Sequence, residues 1–302
     1  MTLRVGLVGC GEWGRHVLRD LLAIGCEVHV VARSEESRRR ARDGGAAGIV
    51  GTVEALPDVT AAVVVTPTAT HAEVIERLLD RPIPVFCEKP LTADLPAAER
   101  LAARAADRLF VMDKWRYHPG VEALGAIARS GELGPVVGLR TTRVGWTHSQ
   151  PDVDSAWHLV PHDLSIALEV LGRIPEPRAA VAEREGTQIV GLLGILGTAP
   201  WVAFEASSRR ARSFREVRLF CAGGAATLSD SYSDHLSIRR AAPASGGPPE
   251  PERRAISTEL PLLRELRAFV EHVKGGPPPK SNAADGLEIV RAIDRLRALA
   301  SL

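Results

Sequence analysis

Short apolar runs alternate with segments of helical periodicity in the first third of the chain. The apolar runs that predict strands are residues 3–8, 27–31, 61–65, 85–87 and 109–112. Strands separated by helices are typical of βαβ units, in which the strands lie parallel in one sheet. The pattern therefore predicts a doubly wound α/β domain in this part of the chain.

The pattern changes after Pro119, where consecutive strands replace the alternation. One helix is predicted from Pro119 to about Arg129, followed by a long strand over residues 136–146. Several β-type runs then follow one another within residues 178–240 with few helical signals, which favours an antiparallel sheet. Residues 241–254 are rich in Pro, Gly and Ala and predict an exposed loop.

Two helices, over residues 260–274 and 283–300, are predicted to close the chain. A chain of 302 residues exceeds the size at which a single core usually keeps growing. We therefore predict a Rossmann domain with a doubly wound parallel sheet over residues 1–118. A C-terminal α+β domain with a large, mostly antiparallel open sheet is predicted over residues 119–302, and its last helix is allowed to pack back on the first domain.

Composition places the chain among ordinary globular proteins. Its apolar content is 45%, its charged content is 25% and its formal net charge is +1, so no excess charge would attract nucleic acid or an anionic membrane. The longest uncharged apolar stretch, residues 189–197, is far shorter than the roughly 20 residues of a membrane helix. The first residues carry no secretory signal pattern. We expect a soluble, cytoplasmic protein with neither a nucleic-acid nor a membrane partner.

A glycine-rich motif follows the first predicted strand and opens the first predicted helix. Its residues are Gly9, Cys10, Gly11, Glu12, Trp13 and Gly14, which give the spacing G-x-G-x-x-G. In this context the first glycine permits a tight turn, the second lets a pyrophosphate approach the backbone, and the third lets helix and strand pack closely. The helix N-terminus attracts the phosphates. We predict that this motif, with Glu12 and Trp13, binds a dinucleotide.

The end of the second predicted strand lacks the acidic residue that usually binds the ribose of NAD. The sequence there reads Arg33-Ser34, and Arg38 lies one helical turn further on. These three residues suit a 2′-phosphate, so we expect NADP(H) to be favoured over NAD(H). Two alternatives stay open: Arg33 is a solvated loop cation, or Glu35 or Glu36 reaches the ribose hydroxyls.

Polar residues cluster where two further predicted strands end. They are Thr66, Pro67 and His71 after one strand, and Glu88, Lys89 and Pro90 at the end of the next. Ligands of an open α/β sheet bind at the carboxyl ends of its strands. We therefore expect all six residues to contribute to the cofactor site.

Lys89 is one of only four lysines among the 38 basic residues. An arginine keeps its proton near neutral pH, whereas a lysine can release one, especially beside the positive charge of an oxidised nicotinamide. Lys89 is therefore the candidate that exchanges a proton with a substrate hydroxyl as hydride moves. The alternative is a structural ion pair.

Two histidines and an aspartate follow the long predicted strand. Pro161 is expected in the first turn of a helix that runs to Leu171, which would place His162 and Asp163 at its N-terminus and His158 just before it. Two imidazoles beside a carboxylate suit a proton-transfer role, and a structural role is the alternative. We predict no metal site, since the His-x-x-x-His spacing has no obvious third ligand.

These features together resemble the glucose/fructose oxidoreductase, inositol dehydrogenase and MocA (Gfo/Idh/MocA) family over nearly the whole chain. The motifs that carry the resemblance are the G-x-G-x-x-G turn, Thr66-Pro67 with His71, Glu88-Lys89-Pro90, Arg116-Tyr117-His118-Pro119, the His162-Asp163 helix and the closing helix over residues 262–273. By this resemblance Lys89 is the catalytic lysine and His162 the catalytic histidine, while Glu88 and Pro90 shape the nicotinamide side. It also implies a small polar substrate against the open sheet of the second domain, and a homo-oligomer.

The chain departs from the family pattern at one position. The family usually places an aspartate four residues before the catalytic histidine, where this chain has His158. Asp154-x-x-x-His158 offers an alternative register. His158 is therefore a further catalytic candidate, and Tyr117 becomes one if both histidines are structural.

The resemblance implies hydride transfer between the nicotinamide and a secondary alcohol or carbonyl of a sugar, cyclitol or nucleotide sugar, with Lys89 and His162 in proton transfer. Two alternatives stay open. One is reduction of an imine in a biosynthetic pathway, and the other is a cofactor-binding regulator that has lost catalysis.

Overall fold

The computed structural model describes residues 2–105, 107–146, 152–241 and 250–302. The strands are β1 (Arg4–Val8), β2 (Glu27–Val31), β3 (Gly48–Val50), β4 (Ala61–Val64), β5 (Val85–Glu88), β6 (Leu109–Met112), β7 (Val136–Trp146), β8 (Pro177–Glu185), β9 (Gln188–Leu196), β10 (Trp201–Ser207), β11 (Arg209–Cys221), β12 (Gly224–Leu228), β13 (His235–Arg240) and β14 (Glu252–Ala255). The helices are α1 (Gly14–Ala23), α2 (Glu35–Asp43), α3 (His71–Leu78), α4 (Leu95–Arg104), α5 (Pro119–Ser130), α6 (Ser155–Leu171), α7 (Pro261–Val273) and α8 (Ala283–Leu299), with short 3₁₀ turns over Thr68–Thr70 and Lys114–Tyr117.

The chain divides into two compact units, each built from two separate stretches of sequence. The first unit consists of Met1–Lys114 and Pro261–Val290. The second consists of Trp115–Leu260 and Arg291–Leu302. The division falls within α8, whose first part belongs to the first unit and whose last part belongs to the second.

The sheet of the first unit has the strand order β3-β2-β1-β4-β5-β6, and its pairings are parallel. This confirms the predicted Rossmann sheet. The strand order reverses between β1 and β4, which pair side by side. Such a switch point, at the carboxyl ends of the strands, is where open α/β sheets bind their ligands.

Helix α7 completes the core of the first unit. Its residues Leu262, Leu266, Phe269 and Val270 recur every three or four positions, so they share one face of the helix, and that face is buried. The ring of Phe269 stacks on that of Phe86 in β5, with 4.7 Å between the centroids. A segment far along the chain therefore packs next to the strand that carries the Glu88-Lys89-Pro90 motif.

The sheet of the second unit has the order β14-β13-β12-β11-β7-β10-β9-β8. The pairing of β7 with β10 is parallel and the other described pairings are antiparallel, which confirms the predicted, mostly antiparallel sheet. The long strand predicted over residues 136–146 is β7, in the interior of this sheet.

Two strands of the second unit depart from the sequence prediction. β11 begins at Arg209, well before the apolar run that predicted it. Its first half is arginine-rich and exposed, so apolar alternation does not reveal it. β14 overlaps the end of the segment predicted to be a loop, residues 241–254, of which residues 242–249 lie outside the described ranges. β14 is an edge strand of charged residues, a type that apolar alternation does not reveal.

Helices α5 and α6 cover one face of the second sheet. α5 contacts β11, β12 and β13, whereas α6 contacts β7, β9 and β10. The other face exposes four large apolar side chains, namely Val181, Leu193, Ile195 and Phe214. α6 itself is apolar and mostly buried. Within the described ranges, no helix is long and apolar enough to cross a membrane.

Candidate functional site

The glycine-rich motif forms the turn between β1 and α1. Gly9 has φ +99°, a left-handed conformation that favours glycine, and a Cβ there would lie 2.8 Å from the carbonyl oxygen of Val65. A Cβ at Gly14 would lie 2.6 Å from the carbonyl oxygen of Gly9. The packing of the turn itself therefore requires glycine at both positions.

Gly11 differs from its two neighbours in the motif because the space beside it is open. Apart from its chain neighbours, no described residue comes within 4 Å of a Cβ built at Gly11. Helix α1 begins at Gly14, and no described side chain caps its N-terminus. Open space beside the turn and uncapped N–H groups are what a pyrophosphate requires, so these residues fit a dinucleotide.

The side chains of Glu12 and Trp13 contact cations of the first unit. The Glu12 carboxylate pairs with Arg15 at 3.2 Å and also with Arg40 of α2. The Lys114 ammonium lies 4.2 Å from the centroid of the Trp13 ring, which is a cation–π contact. The Trp13 indole Nε1 is buried and has no hydrogen-bond acceptor among the described residues.

Arg33 and Ser34 lie directly after β2, and Arg38 lies in the first half of α2. The Ser34 hydroxyl accepts a hydrogen bond from the Ser37 amide at 3.2 Å and thereby caps α2. Within the described ranges, neither the Arg33 nor the Arg38 guanidinium is paired with a carboxylate. Two cations without a partner therefore flank a helix N-terminus at the end of β2.

The two acidic residues of the same helix turn are already paired. Glu35 lies 3.8 Å from Arg42, and Glu36 lies 2.7 Å from Arg40. Both pairs are on the surface, where such interactions are weak. In both pairs the carboxylate contacts an arginine further along α2.

His71 joins the two loops that follow β4 and β5. Its ring is 1% exposed, with Nδ1 2.9 Å from the Pro90 carbonyl oxygen and Nε2 2.9 Å from the Thr66 carbonyl oxygen. Burial lowers the pKa of this imidazole, although the two carbonyl groups and the Glu88 carboxylate act in the opposite direction. Through these two hydrogen-bonding contacts, His71 holds the loop after β4 against the loop after β5. Pro67 precedes the short 3₁₀ turn that lies between β4 and His71.

Lys89 directly follows β5 and is buried, with 9% of its surface exposed. Glu88, at the end of the strand, faces a second carboxyl group, that of Glu265 in α7. Burial raises the pKa of Glu265 well above its ordinary value, and the charges of Glu88 and Asp113 raise it further, whereas Lys114 lowers it. Burial and these two negative charges therefore favour the protonated, neutral form of the Glu265 carboxyl group.

Helix α6 of the second unit begins earlier than the sequence predicted. It starts at Ser155, because the Asp154 carboxylate accepts hydrogen bonds from the amides of Ala156 at 3.0 Å and Trp157 at 3.3 Å. The same carboxylate lies 2.5 Å from the guanidinium of Arg297. Asp154 is thus occupied by the helix cap and an ion pair.

The expectation that Pro161 opens this helix is wrong. Pro161 lies inside α6, where its missing N–H leaves the Trp157 carbonyl without the usual helical donor. His158 therefore lies in the first turn of α6, and His162 lies one turn further along on the same side of the helix. His162 is 8% exposed, and His158 is partly exposed.

Asp163 and its neighbours form a buried charged layer in the second unit. The Asp163 Oδ2 lies 3.5 Å from the Nε of Arg143 in β7, and the Arg143 guanidinium lies 4.4 Å from the centroid of the Trp115 ring. The Trp115 ring stacks on that of His118 at 5.0 Å. Tyr117 lies between them in sequence and is 6% exposed.

Residues 3–111 match the Gfo/Idh/MocA family model, which is described as an oxidoreductase family with an NAD-binding Rossmann fold. Residues 3–111 therefore form a domain of the Gfo/Idh/MocA type. The resemblance predicted from the motifs is thereby confirmed.

Curated relatives of this protein include inositol 2-dehydrogenases. Inositol 2-dehydrogenase 1 of Paenarthrobacter aurescens (strain TC1) is 33% identical over 174 residues, which cover 52% of this chain and 52% of the relative. The chain thus spans about half the length of that relative. Inositol 2-dehydrogenase of Rhizobium meliloti (strain 1021) is 26% identical over 319 residues, which cover 97% of this chain and 96% of the relative.

Solved structures with the same fold contain either nicotinamide cofactor. Levoglucosan dehydrogenase in complex with NADH has a TM-score of 0.87 and 14% identity, covering 100% of this chain and 97% of that chain. A 3-ketoreductase from Actinomadura kijaniata in complex with TDP-benzene and NADP has a TM-score of 0.85 and 22% identity, covering 98% and 97%. The family model that residues 3–111 match describes an NAD-binding Rossmann fold, and these two solved structures share the fold of this chain.

Two buried charged residues, Glu265 and Arg143, are absent from the sites predicted from the sequence. Glu265 interrupts the apolar face of α7, and Arg143 continues the inward alternation of Leu139 and Thr141 in β7. A polar residue at a position that periodicity assigns to the core is the signal that could have identified both.

Proposed function

We propose that this protein is an NAD(P)-dependent dehydrogenase or reductase of a sugar, cyclitol or nucleotide sugar. It would transfer hydride between the nicotinamide and a secondary alcohol or carbonyl carbon. The observation that carries the proposal is a buried lysine, Lys89, at the carboxyl end of β5 in a Rossmann sheet whose glycine turn is open at Gly11. The inositol dehydrogenase relatives support a polyhydroxylated substrate.

Lys89 and His162 are assigned to proton transfer. The nicotinamide, when bound, supplies the hydride acceptor or donor; Lys89 exchanges the hydroxyl proton of the substrate, because its amine can gain and lose a proton where an arginine cannot. Both side chains are largely buried, at 9% and 8% exposure, which limits competition from water. His158 and Tyr117 are the further candidates for the proton path.

The charges at the end of β2 support a preference for NADP(H). Arg33 and Arg38 have no carboxylate partner in the described chain, so a 2′-phosphate would meet two available guanidinium groups. Glu35 and Glu36 are paired with Arg42 and Arg40, which makes them less available to ribose hydroxyls. 

The open face of the second sheet supports the expected homo-oligomer. Val181 is 65% exposed and Ile195 is 51% exposed, in a pocket with Phe214 that also contains Arg140 and Glu205. A contiguous apolar patch of this kind marks an interaction surface. Because the patch carries charges of both signs, it suits a two-fold contact with a second copy.

The activity is tested by following reduced nicotinamide with NAD+ or NADP+ and a panel of alcohols that includes myo-inositol, an aldose and a nucleotide sugar. Lys89→Met should lose about a hundredfold or more in turnover while retaining cofactor affinity, and Lys89→Arg should fail as well. Lys274→Met, which removes an exposed lysine paired with Glu271, is the matched control. Cofactor binding without turnover of any alcohol or carbonyl would favour the regulator, and turnover confined to imines would favour the imine reductase.

The roles of the two histidines are tested separately. Turnover should fall for His162→Ala, and the pH profile should change for His158→Ala, since two imidazoles one turn apart disfavour each other's protonation. If both variants keep the wild-type rate and profile, the histidines are structural, and Lys89 acts alone or with Tyr117.

A further inference from the structure

Glu265 is a fully buried acid that the proposed hydride transfer does not use. Its side chain is 0% exposed, and neither carboxyl oxygen has a hydrogen-bond partner among the described residues. The residues that share its face of α7, Leu262, Leu266 and Phe269, are apolar. An ionised carboxylate is strongly disfavoured in such surroundings, so the group carries its proton.

Three charged groups act on Glu265, and all belong to the first unit. They are Glu88 at the end of β5, Asp113 directly after β6, and Lys114 in the following turn. Two negative charges against one positive charge oppose ionisation of a third carboxyl group. The neutral state of Glu265 thus follows from its burial and from the charge of its neighbours together.

A positive charge added at this end of the sheet would reverse that balance. A Rossmann fold holds its dinucleotide across the carboxyl ends of the strands, with the pyrophosphate at the β1–α1 turn. Its nicotinamide half therefore belongs on the β4–β5–β6 side, where Glu88 and Asp113 lie. Oxidised nicotinamide carries a positive charge that reduced nicotinamide lacks.

We propose that Glu265 is a proton site that responds to the oxidation state of the cofactor, losing its carboxyl proton to solvent when oxidised nicotinamide binds and keeping it when reduced nicotinamide binds. The proposal rests on the proposed nicotinamide-dependent function. In this step the O–H bond of the carboxyl group breaks, the proton passes to buffer, and no electron is transferred. Linkage then requires the affinity for oxidised cofactor to rise with pH, while the affinity for reduced cofactor changes less.

The proton is counted by isothermal titration calorimetry in buffers with different ionisation enthalpies. Binding of NADP+, or of NAD+ if that cofactor binds more tightly, should release up to one proton per site. Binding of the reduced form should release markedly less. The pH dependence of the dissociation constant, up to about tenfold per pH unit for one proton, gives an independent value.

Variants identify the group that loses the proton. Glu265→Gln and Glu265→Leu should both bind oxidised cofactor with the proton release removed, and the leucine variant avoids a buried polar group if the glutamine variant folds poorly. Glu271→Gln, on the exposed side of the same helix, should release the proton as the wild type does. Lys89→Met should also retain the release, which separates Glu265 from the lysine next to Glu88.

The outcomes separate this inference from the proposed function. If oxidised cofactor binds without proton release, or if both Glu265 variants still release the proton, the inference is wrong and the dehydrogenase proposal stands. If neither NAD+ nor NADP+ binds, both proposals fall. Release from the wild type that is absent in either folded Glu265 variant supports the inference.

Discussion

The guanidinium Nε of Arg143 lies 3.5 Å from the carboxylate Oδ2 of Asp163, and both side chains are buried in the second unit. Arg215 lies directly opposite Arg143 on the neighbouring strand β11, so two like charges share this side of the sheet. Burial lowers the pKa of Arg143 and raises that of Asp163, despite their mutual attraction. Both shifts oppose the charged forms, so burial acts against this ion pair while the attraction between the two groups favours it.

Removing one partner of this pair should therefore be worse than removing both. We expect Asp163→Leu to lower the free energy of unfolding by about 3–5 kcal/mol, because it leaves a buried guanidinium uncompensated. The double variant Arg143→Met with Asp163→Leu should recover most of that loss. Urea unfolding of the two single variants and the double variant completes the cycle.

The exposed pair of Arg77 with Glu73, 2.7 Å apart, provides the control for this cycle. Arg77→Met should change the free energy of unfolding by about 1 kcal/mol or less. If Asp163→Leu lowers the free energy of unfolding no more than this surface variant does, the Arg143 guanidinium does not depend on Asp163 for its stabilisation.

The Rossmann sheet could be predicted from sequence because its signals are local. Each strand is a short apolar run, and the glycine motif occurs where the first strand meets the first helix. The start of α6 is also encoded locally, since Asp154 precedes an apolar helical segment, although Pro161 indicates a later start. An aspartate cap that satisfies two amides defines the helix start better than a proline, which α6 tolerates in its interior.

The partners of the buried charges could not be predicted from sequence because they are distant along the chain. Arg143 and Asp163 lie on a strand and a helix, and Glu265 meets Glu88 only because α7 packs against β5. Periodicity places each of these residues toward the interior. It does not say which charge, if any, will face it there.

The open space at Gly11 gives a direct test of the dinucleotide site. Gly11→Val should fold, since no described residue blocks the added side chain, yet it should bind cofactor at least about a hundredfold more weakly, a loss of about 2.7 kcal/mol. Gly14→Val should instead destabilise the protein, because its Cβ would lie 2.6 Å from the Gly9 carbonyl oxygen. Cofactor titration and thermal unfolding of both variants distinguish the two effects, and a folded Gly11→Val with wild-type affinity would contradict the assignment.

Arg33 should determine cofactor preference. The wild type should bind NADP(H) more tightly than NAD(H), and Arg33→Ala should reduce the ratio of the two affinities about tenfold or more, or about 1.4 kcal/mol, by removing a cation near the 2′-phosphate. Arg39→Ala, on the exposed side of α2, is the matched control and should leave the ratio unchanged. A wild-type preference for NAD would show that Glu35 or Glu36 reaches the ribose.

The exposed sheet face should determine the oligomeric state. Ile195→Arg places a charge in the apolar patch and should shift the protein to monomers in size-exclusion chromatography with light scattering. Tyr232→Arg changes a side chain that is 79% exposed outside this patch and should not alter the mass. An oligomer that survives Ile195→Arg unchanged must use another surface.

In the cofactor-free protein, Glu265 should reduce stability near neutral pH. Its pKa in the folded protein lies well above the ordinary value of 4.5, so at higher pH the unfolded chain ionises this group while the folded protein does not. Stability from this residue is therefore greatest below pH 4.5 and is lost as the pH rises toward the folded-state pKa. Each unit by which the pKa is raised costs about 1.4 kcal/mol.

Glu265→Leu should accordingly be more stable than the wild type at pH 7, by about 1 kcal/mol or more, and Glu265→Gln should gain less because its amide remains buried. The gain should shrink as the pH falls and should lose its ionisation component below pH 4.5, where both states of the wild type are protonated. Urea unfolding of the cofactor-free protein between pH 4 and 8 measures this difference, with Glu271→Gln as the exposed control on the same helix. If the difference in free energy of unfolding between the wild type and Glu265→Leu stays constant over that range, it arises from packing alone and the raised pKa of Glu265 makes no contribution.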